Sequence, residues 1–372
     1  MKIALILKDD LCKQPPTLSV CYHLLTLGVE LTIIVRNSNH SVHNDLEKKG
    51  AKIYFFNDQS YLGKLPKIGN LWRWKLFRNE VKQILSQLQF DYLWIATADA
   101  GLALGSIIFK YNYIIHIQEL YDQFPRYRHA LKPLLLAAKK VFVPEETRAH
   151  IFRAWYRLKE TPVVLPNKPY YHPRQKGLPI SNIQAAKAFA KIPTQSKIVF
   201  YQGGISNRRD LKPIATAIKE LGAPWALAVQ CPIVDNEYYR DFFENYEFYH
   251  IPYVPAPLHL EITSNIDFGL VTYSHVSLNN EFCAPNKIWE YSGFGLPIIA
   301  NDVWGLKNTV ERFHAGLSLN LDQSSIDELK EALIHLDENQ AIYASNATKL
   351  YESINNGDIL KRNIEDLEAT LG

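Results

Sequence analysis

Along the chain, short and almost wholly apolar runs alternate with stretches in which apolar residues recur every three or four positions. Residues 2–7 read as a buried strand, 18–27 as a helix stopped by Gly28, and 31–35 as the next strand. The alternation continues with apolar runs at 52–56, 92–96, 113–117 and 140–143, and with a helical stretch over 72–88. Strands that are apolar on both faces and separated by helices predict a parallel sheet covered on both sides. One more short strand lies within 162–167, after which the chain turns polar and proline-rich from 168 to 193, a pattern that predicts a domain boundary. A second series opens at 197–201, with a helix marked by Leu211, Ile214, Ile218 and Leu221 and further apolar runs at 225–230, 247–251, 268–272 and 297–300. The expectation is two consecutive doubly wound α/β domains, 1–170 and 171–345, followed by a helical segment, 346–372, that crosses back to the first.

Length and composition agree with that division. A chain of 372 residues is longer than one hydrophobic core usually holds, and 47% apolar against 21% charged residues excludes a disordered chain. The apolar run 100–109 is about half of the roughly 20 residues that cross a bilayer, so no transmembrane helix is expected. The start reaches Lys8, Asp9 and Asp10 too soon for a signal-peptide core, which predicts a cytoplasmic protein. Cys12, Cys21, Cys231 and Cys283 form no CxxC pair and are expected to be reduced, part-buried thiols.

Charge adds one feature that the net value of +3 hides: residues 1–170 carry 24 Lys/Arg against 14 Asp/Glu, and the remainder 17 against 24. A basic half either meets a polyanion or an anionic membrane surface or is ordinary solvated surface. No nucleic-acid recognition signature accompanies it, so nucleic acid is not an expected partner. Within that half, Lys64, Lys67, Arg73, Lys75, Arg78 and Lys82 interleave with Leu71, Trp72, Trp74, Leu76 and Phe77. This is the composition of an interfacial anchor, and also of a helix packed through Leu71, Trp74 and Phe77 with a basic outer face. Arg126, Arg128, Lys132, Lys139 and Lys140 add to the same field. His40 and His43 form an HxxH pair without a further ligand and read as solvated surface.

The densest chemical pattern is Cys283-Ala284-Pro285-Asn286-Lys287-Ile288-Trp289-Glu290-Tyr291-Ser292-Gly293-Phe294-Gly295, followed by an apolar run. Pro285 suits the first position of a helix, and Gly293 and Gly295 suit its end. Free backbone N–H groups and the positive end of the dipole at that helix start favour an anion, and Lys287 adds a full charge in the first turn. Glu290, three residues on and on the same face, is placed to accept hydrogen bonds from vicinal hydroxyls; a plain surface Lys–Glu pair is the alternative. Tyr201-Gln202-Gly203-Gly204-Ile205-Ser206-Asn207-Arg208-Arg209 reads as a strand, a double glycine and then a helix. The glycines let backbone approach a ligand or simply make a tight turn, and an arginine follows. Neither a GxGxxG fingerprint nor a Walker pattern is present.

These two segments together resemble the nucleotide-sugar half of GT-B glycosyltransferases, in particular the retaining group 1 or family 4 enzymes. The resemblance is strong over 197–311 and weaker at Val141-Phe142-Val143-Pro144-Glu145-Glu146 and Val164-Leu165-Pro166-Asn167. It implies a GT-B fold, two Rossmann-like domains facing a central cleft, and a nucleoside-diphosphate sugar, UDP or GDP, as donor. It also implies that Gly203 and Gly204 approach the diphosphate, Arg209 and Lys287 neutralise it, Glu290 holds the ribose, and the base lies near 251–254, at Tyr253 and Val254. Glu281, Phe282, Cys283, Ala284, Pro285 and Asn286 complete the expected donor loop.

Two positions depart from the family. Its first glutamate would fall at position 282, which is Phe282, with Glu281 one residue away. Its His-Glu-Leu segment is represented by Gln118-Glu119-Leu120, and glutamine cannot titrate. His116 reads as a strand residue. If the reaction inverts, Glu119 or Asp122 would serve as base; if it retains, Arg209, Lys287 and the helix start stabilise the leaving diphosphate. No Asp-x-Asp pair occurs, so no metal site and no cofactor are expected. The functional expectation is a retaining, metal-independent glycosyltransferase whose acceptor is a lipid-linked surface glycan, working in the cytoplasm or peripherally at the inner face of the membrane. A nucleotide-sugar 2-epimerase and a non-catalytic, glycosyltransferase-like partner subunit are the alternatives.

Overall fold

The structure is a computed structural model that describes residues 1–36, 41–57 and 69–371. It consists of two compact units, Met1–Pro166 with Asn355–Gly372, and Asn167–Ile354.

The first unit alternates β1 (Lys2–Ile6), α1 (Pro15–Thr26), β2 (Glu30–Arg36), α2 (Ser41–Lys48), β3 (Lys52–Phe56), α3 (Gly69–Leu85), β4 (Tyr92–Ile95), α4 (Ala98–Leu104), β5 (Tyr113–His116), α5 (Pro125–Ala137), β6 (Lys140–Val143), α6 (Glu146–Tyr156) and β7 (Val163–Val164). Its seven strands are all parallel, in the order β3-β2-β1-β4-β5-β6-β7. The central strands are apolar on both faces, so β1 buries Ile3 to Ile6 and β4 buries all four of its residues. The chain's last helix, Asn356–Ala369, belongs to this unit and buries Leu360, Ile364 and Leu367 in one cluster with Leu18 and Leu24 of α1. The Tyr92 hydroxyl ties the helix end to β4, 3.2 Å from the Leu367 carbonyl and 2.7 Å from Thr370 Oγ1.

On α3 the buried stripe is Phe77, Val81 and Leu85, spaced four apart, while Leu71 is 67% exposed. The expected packing through Leu71 is therefore corrected; which stripe turns inward depends on where the sheet lies. Arg73 and Lys75 are exposed, Arg78 donates from Nε to the Ala103 carbonyl at 2.8 Å, and Lys64 and Lys67 lie outside the described residues. No helix among the described residues is long and apolar enough to cross a membrane. His43 is not solvated but buried, its ring 5.1 Å from Phe55, and its expected partner His40 lies outside the described residues.

The second unit carries α7 (Ile183–Phe189), β8 (Lys197–Gln202), α8 (Lys212–Leu221), β9 (Trp225–Cys231), α9 (Glu237–Asn245), β10 (Tyr249–Pro252), α10 (His259–Thr263), β11 (Phe268–Val271), α11 (Leu278–Glu281), α12 (Asn286–Gly293), β12 (Ile298–Asn301), α13 (Trp304–Leu306), β13 (Gly316–Leu319), α14 (Ile326–Glu338) and α15 (Gln340–Glu352). Its six strands are parallel in the order β10-β9-β8-β11-β12-β13, the winding of the first unit repeated. The order reverses between β8 and β11, and the crevice beyond the carboxyl ends of these strands is where doubly wound sheets take ligands.

The polar, proline-rich stretch from 168 to 193 is not a free linker. It contains α7, whose Ala185 is buried in the second unit's core together with Ile192. Lys168 folds back so that its Nζ donates to the Tyr351 and Ile354 carbonyls, both at 2.6 Å, and lies 3.8 Å from the Tyr351 ring centroid. Helix α15 stays in the second unit, and only the chain from Asn355 onward joins the first. Helix α12 sits tightly on the sheet because Gly269 has no side chain: a Cβ there would lie 2.2 Å from Tyr291 Cδ2. Tyr291, fully buried, donates its hydroxyl to the Phe200 carbonyl at 3.2 Å. Running back from the carboxyl end of β11, α12 thus opens its N-terminus on the crevice.

Candidate functional site

The backbone leaves β8 at Gly203 with φ +121°, a conformation that side chains rarely tolerate. A Cβ on Gly203 would lie 3.3 Å from Lys287 Nζ, so the first turn of α12 lays its ammonium directly on this glycine. Nothing lies within 4 Å of a Cβ built on Gly204, so the turn is open on that side. Lys287 Nζ is 5.1 Å from the centroid of the Tyr201 ring, whose hydroxyl donates to the Gly204 carbonyl at 3.0 Å. Arg208 and Arg209 sit in a turn closed by the Arg209 N–H donating to the Ser206 carbonyl at 2.8 Å; α8 begins later than expected, at Lys212. Arg209 is half-buried with its guanidinium carbon 5.0 Å from the Tyr273 ring centroid.

The two cations feel one another. Burial is the largest cause pushing the Lys287 ammonium down to about 8, Arg209 is the second, and Glu290 pulls in the opposite direction. Pro285 is the N-cap of α12, one position before that expected, and has no side chain with which to cap it. The leading N–H groups of α12 therefore converge with Lys287 and Arg209 beside the Gly203 turn, an arrangement suited to a diphosphate.

Glu290 lies one turn further along α12 and is 4% exposed. His259 Nε2 is 3.0 Å from its Oε1, and Gln202 Nε2 donates to its Oε2. The Thr263 hydroxyl lies 3.0 Å from Gln202 Oε1 and 3.2 Å from the His259 carbonyl. Burial alone would raise the Glu290 carboxyl, but His259, Lys287 and His172 outweigh it and hold the group below its ordinary value. His172 grips the backbone of the same residue. Its Nδ1 accepts the Arg174 N–H at 3.1 Å, so its Nε2 carries the proton donated to the Glu290 carbonyl at 2.9 Å. Burial, its largest influence, pushes this imidazole down to about 4.

The loop ahead of α12 has its own anchors. Glu281 Oε2 is 2.8 Å from His275 Nδ1, and its Oε1 accepts the Trp304 N–H at 3.0 Å; His275 Nε2 reaches Asp302 Oδ1 at 2.7 Å. The hydrogen bond to Asp302 is the first cause raising the His275 pKa. Phe282 is half-buried, Cys283 is buried, and the Ala284 carbonyl accepts from Asn167 Nδ2 at 2.8 Å. After β10, where the base was expected, Val254 is buried and Tyr253 is 49% exposed. A groove of about 690 Å³ lined by Trp225, Tyr246 and Phe248 lies at the amino end of the same sheet, away from these groups.

Glu119 lies in the first unit after β5, its carboxylate 3.7 Å from Nη1 of the buried Arg148, which also donates to the Gln118 carbonyl. The Gln118 amide nitrogen is 2.8 Å from His116 Nε2. Burial pushes His116 down to about 3, consistent with a strand imidazole that stays neutral. Asp99 after β4 pairs with Lys8 after β1 at 2.8 Å, across the switch point of this sheet.

Structure thus brings Gly203, Arg209, Lys287 and Glu290 together, and adds Gln202, His259, Thr263 and His172, which motif reasoning missed. Only Gln202, next to the double glycine, had any local signal; the other three are polar residues in unremarkable surroundings.

No protein-family model and no curated protein matches the chain. Solved structures do. HepE of Anabaena in complex with UDP-glucose is 15% identical, over 99% of this chain and 100% of that one, with a TM-score of 0.71. Sucrose-phosphate synthase from Thermosynechococcus elongatus is 15% identical over 100% and 99%, with a TM-score of 0.71. A glycosyltransferase from Rickettsia africae is 13% identical over 100% and 98%, with a TM-score of 0.64. At such identities the likeness concerns the fold, and the fold of this chain is GT-B.

Proposed function

We propose that this chain is a glycosyltransferase that takes one sugar from a nucleoside-diphosphate sugar, UDP- or GDP-linked, and passes it to a lipid-linked surface glycan. The observation that carries this reading is the convergence of Arg209, Lys287 and the uncapped start of α12 on the Gly203 turn, at the switch point of the second sheet. The GT-B structures complexed with UDP and UDP-glucose support a nucleotide sugar as the ligand of such a crevice.

The cationic cluster suits a retaining reaction. The acceptor hydroxyl forms its bond to the anomeric carbon on the face from which the diphosphate leaves. The bond from that carbon to the phosphate oxygen breaks, and the acceptor's proton passes to the departing diphosphate. Arg209, Lys287 and the α12 N–H groups stabilise the charge that grows on it. With two fixed cations the site needs no metal. Exposed Arg73 and Lys75 on α3, with Arg126, Arg128 and Lys132 of α5, give the first unit the charge to meet an anionic membrane surface, and we place the enzyme at the cytoplasmic face.

The test is a thermal-shift panel of nucleoside diphosphates and nucleotide sugars, with and without a chelator. A selective rise in Tm that survives chelation and disappears in Lys287→Ala and Arg209→Ala is the expected result. No rise with any nucleotide would overturn the enzyme reading, and a rise only with added Mg²⁺ or Mn²⁺ would overturn metal independence. Release of a free epimerised sugar without an acceptor would turn the assignment to a 2-epimerase.

A further inference from the structure

We infer that Gln202, His259 and Thr263 are positioning residues that hold the Glu290 carboxylate in one orientation, as the acceptor for the vicinal hydroxyls of a ribose. This rests on the reading of the second unit as a nucleotide-sugar site, and names what makes its carboxylate competent.

The three residues come from two elements, β8 and α10, and Glu290 comes from a third, α12. Glu290, which only accepts, turns Gln202 Nε2 towards itself, and the Thr263 hydroxyl, also 3.2 Å from the His259 carbonyl, meets the other end of that amide, Oε1, at 3.0 Å. A carboxylate only accepts, so His259 must present a protonated Nε2 across its 3.0 Å contact. Its other nitrogen, Nδ1, is buried without a hydrogen-bond partner. Each Glu290 oxygen thus receives one donor from the protein. A carboxylate offers about four acceptor positions, so about two remain, the number that a vicinal diol requires.

Glu290 is also on the helical face of Lys287, one turn from the ammonium on Gly203, so a diol beside the diphosphate would meet it in register. A glutamate free to rotate would lose orientation entropy on binding; one already clamped on both oxygens does not. Burial of Glu290 adds to this, because a desolvated, fixed acceptor discriminates strongly between a hydroxyl and its absence.

The experiment compares the affinities of UDP and GDP with those of their 2′-deoxy counterparts by calorimetry. Wild type is expected to prefer the ribo form of one nucleotide on the order of tenfold, the worth of a hydrogen bond to a charged acceptor. In His259→Ala and Gln202→Ala that preference should collapse to within about twofold, and Thr263→Val should reduce it. His259→Gln, which can present an N–H to the same oxygen, should restore part of it. A purely structural role would lower Tm without moving the ratio. Thr263→Val and His259→Gln keep the test alive should an alanine variant fail to fold. Retention of the wild-type ratio in the folded variants, or a ratio near one in wild type, overturns the inference. If wild type binds neither nucleotide, the nucleotide-sugar reading itself falls, a result distinct from both.

Discussion

Lys287 should make nucleoside-diphosphate binding depend on pH in a way that identifies it. In the free protein, burial and then Arg209 push its ammonium from 10.5 down to about 8. A bound diphosphate supplies the counter-charge and returns the group towards its ordinary value. The interval from 8 to 10.5, at about 1.4 kcal/mol per pH unit, links roughly 3 kcal/mol of binding free energy to proton uptake, an upper bound for a half-buried group. Below about pH 8 the charge is already in place and Lys287 adds no slope. Above it, the lysine must take up a proton to bind, and affinity should fall by up to about tenfold per pH unit. Calorimetric titrations of UDP from about pH 7 to 9.5 on wild type, Lys287→Arg and Lys287→Ala measure this. The nucleotide's own titration is common to all three and cancels in the comparison. The arginine variant stays charged and should lack the extra slope. The alanine variant should bind ten- to a hundredfold more weakly at neutral pH, with the gap to wild type closing as pH rises. Equal slopes in wild type and Lys287→Arg would refute this account of the site.

Gly203→Ala forces a side chain into φ +121° and against Lys287 Nζ, and should lower both Tm and diphosphate affinity, with about 1–3 kcal/mol of strain. Deleting the chain from Asn355 removes Leu360, Ile364 and Leu367 from the first core, at about 1.5–3 kcal/mol each. That total rivals the stability of a whole domain, so calorimetry should show the first unit's unfolding transition lost or moved to much lower temperature. His172, depressed to about 4 against an ordinary 6.5, contributes stability that is present above about pH 6.5 and lost as pH falls towards 4. Glu290, also depressed, loses its contribution in the same direction. Urea midpoints of the second unit should therefore drop with acid, and less steeply in His172→Gln; an unchanged slope in that variant would remove His172 from the explanation.

Much of this protein is legible in its order of residues, because periodicity is local. Apolar runs such as 3–7 and 198–201 suit central strands, and the helices between them favour parallel pairing in two doubly wound sheets, while the strand order itself comes from the fold. The double glycine after β8 and the Pro-Asn-Lys helix start after β11 likewise announce a crevice for an anion, since backbone freedom and helix ends belong to short stretches.

Polarity misled where tertiary contacts satisfy it. His43 read as solvated surface, yet the fold buries it. His172 and Lys168, in a polar stretch that drew no reading for either, are held against the Glu290 carbonyl and against the Tyr351 and Ile354 carbonyls, respectively. The stretch from 168 to 193 read as a domain boundary, and its polar composition gave no sign that Ala185 and Ile192 join the second core. Residue order set Gly203 just after β8 and Lys287 and Glu290 on the helix that follows β11, at the carboxyl end of the second sheet. It could not decide that Gln202, His259 and Thr263 enclose Glu290, or that Lys287 rests on Gly203. Those contacts join elements far apart in the chain, and they exist only once sheet winding and close packing at Gly269 have set α12 in place.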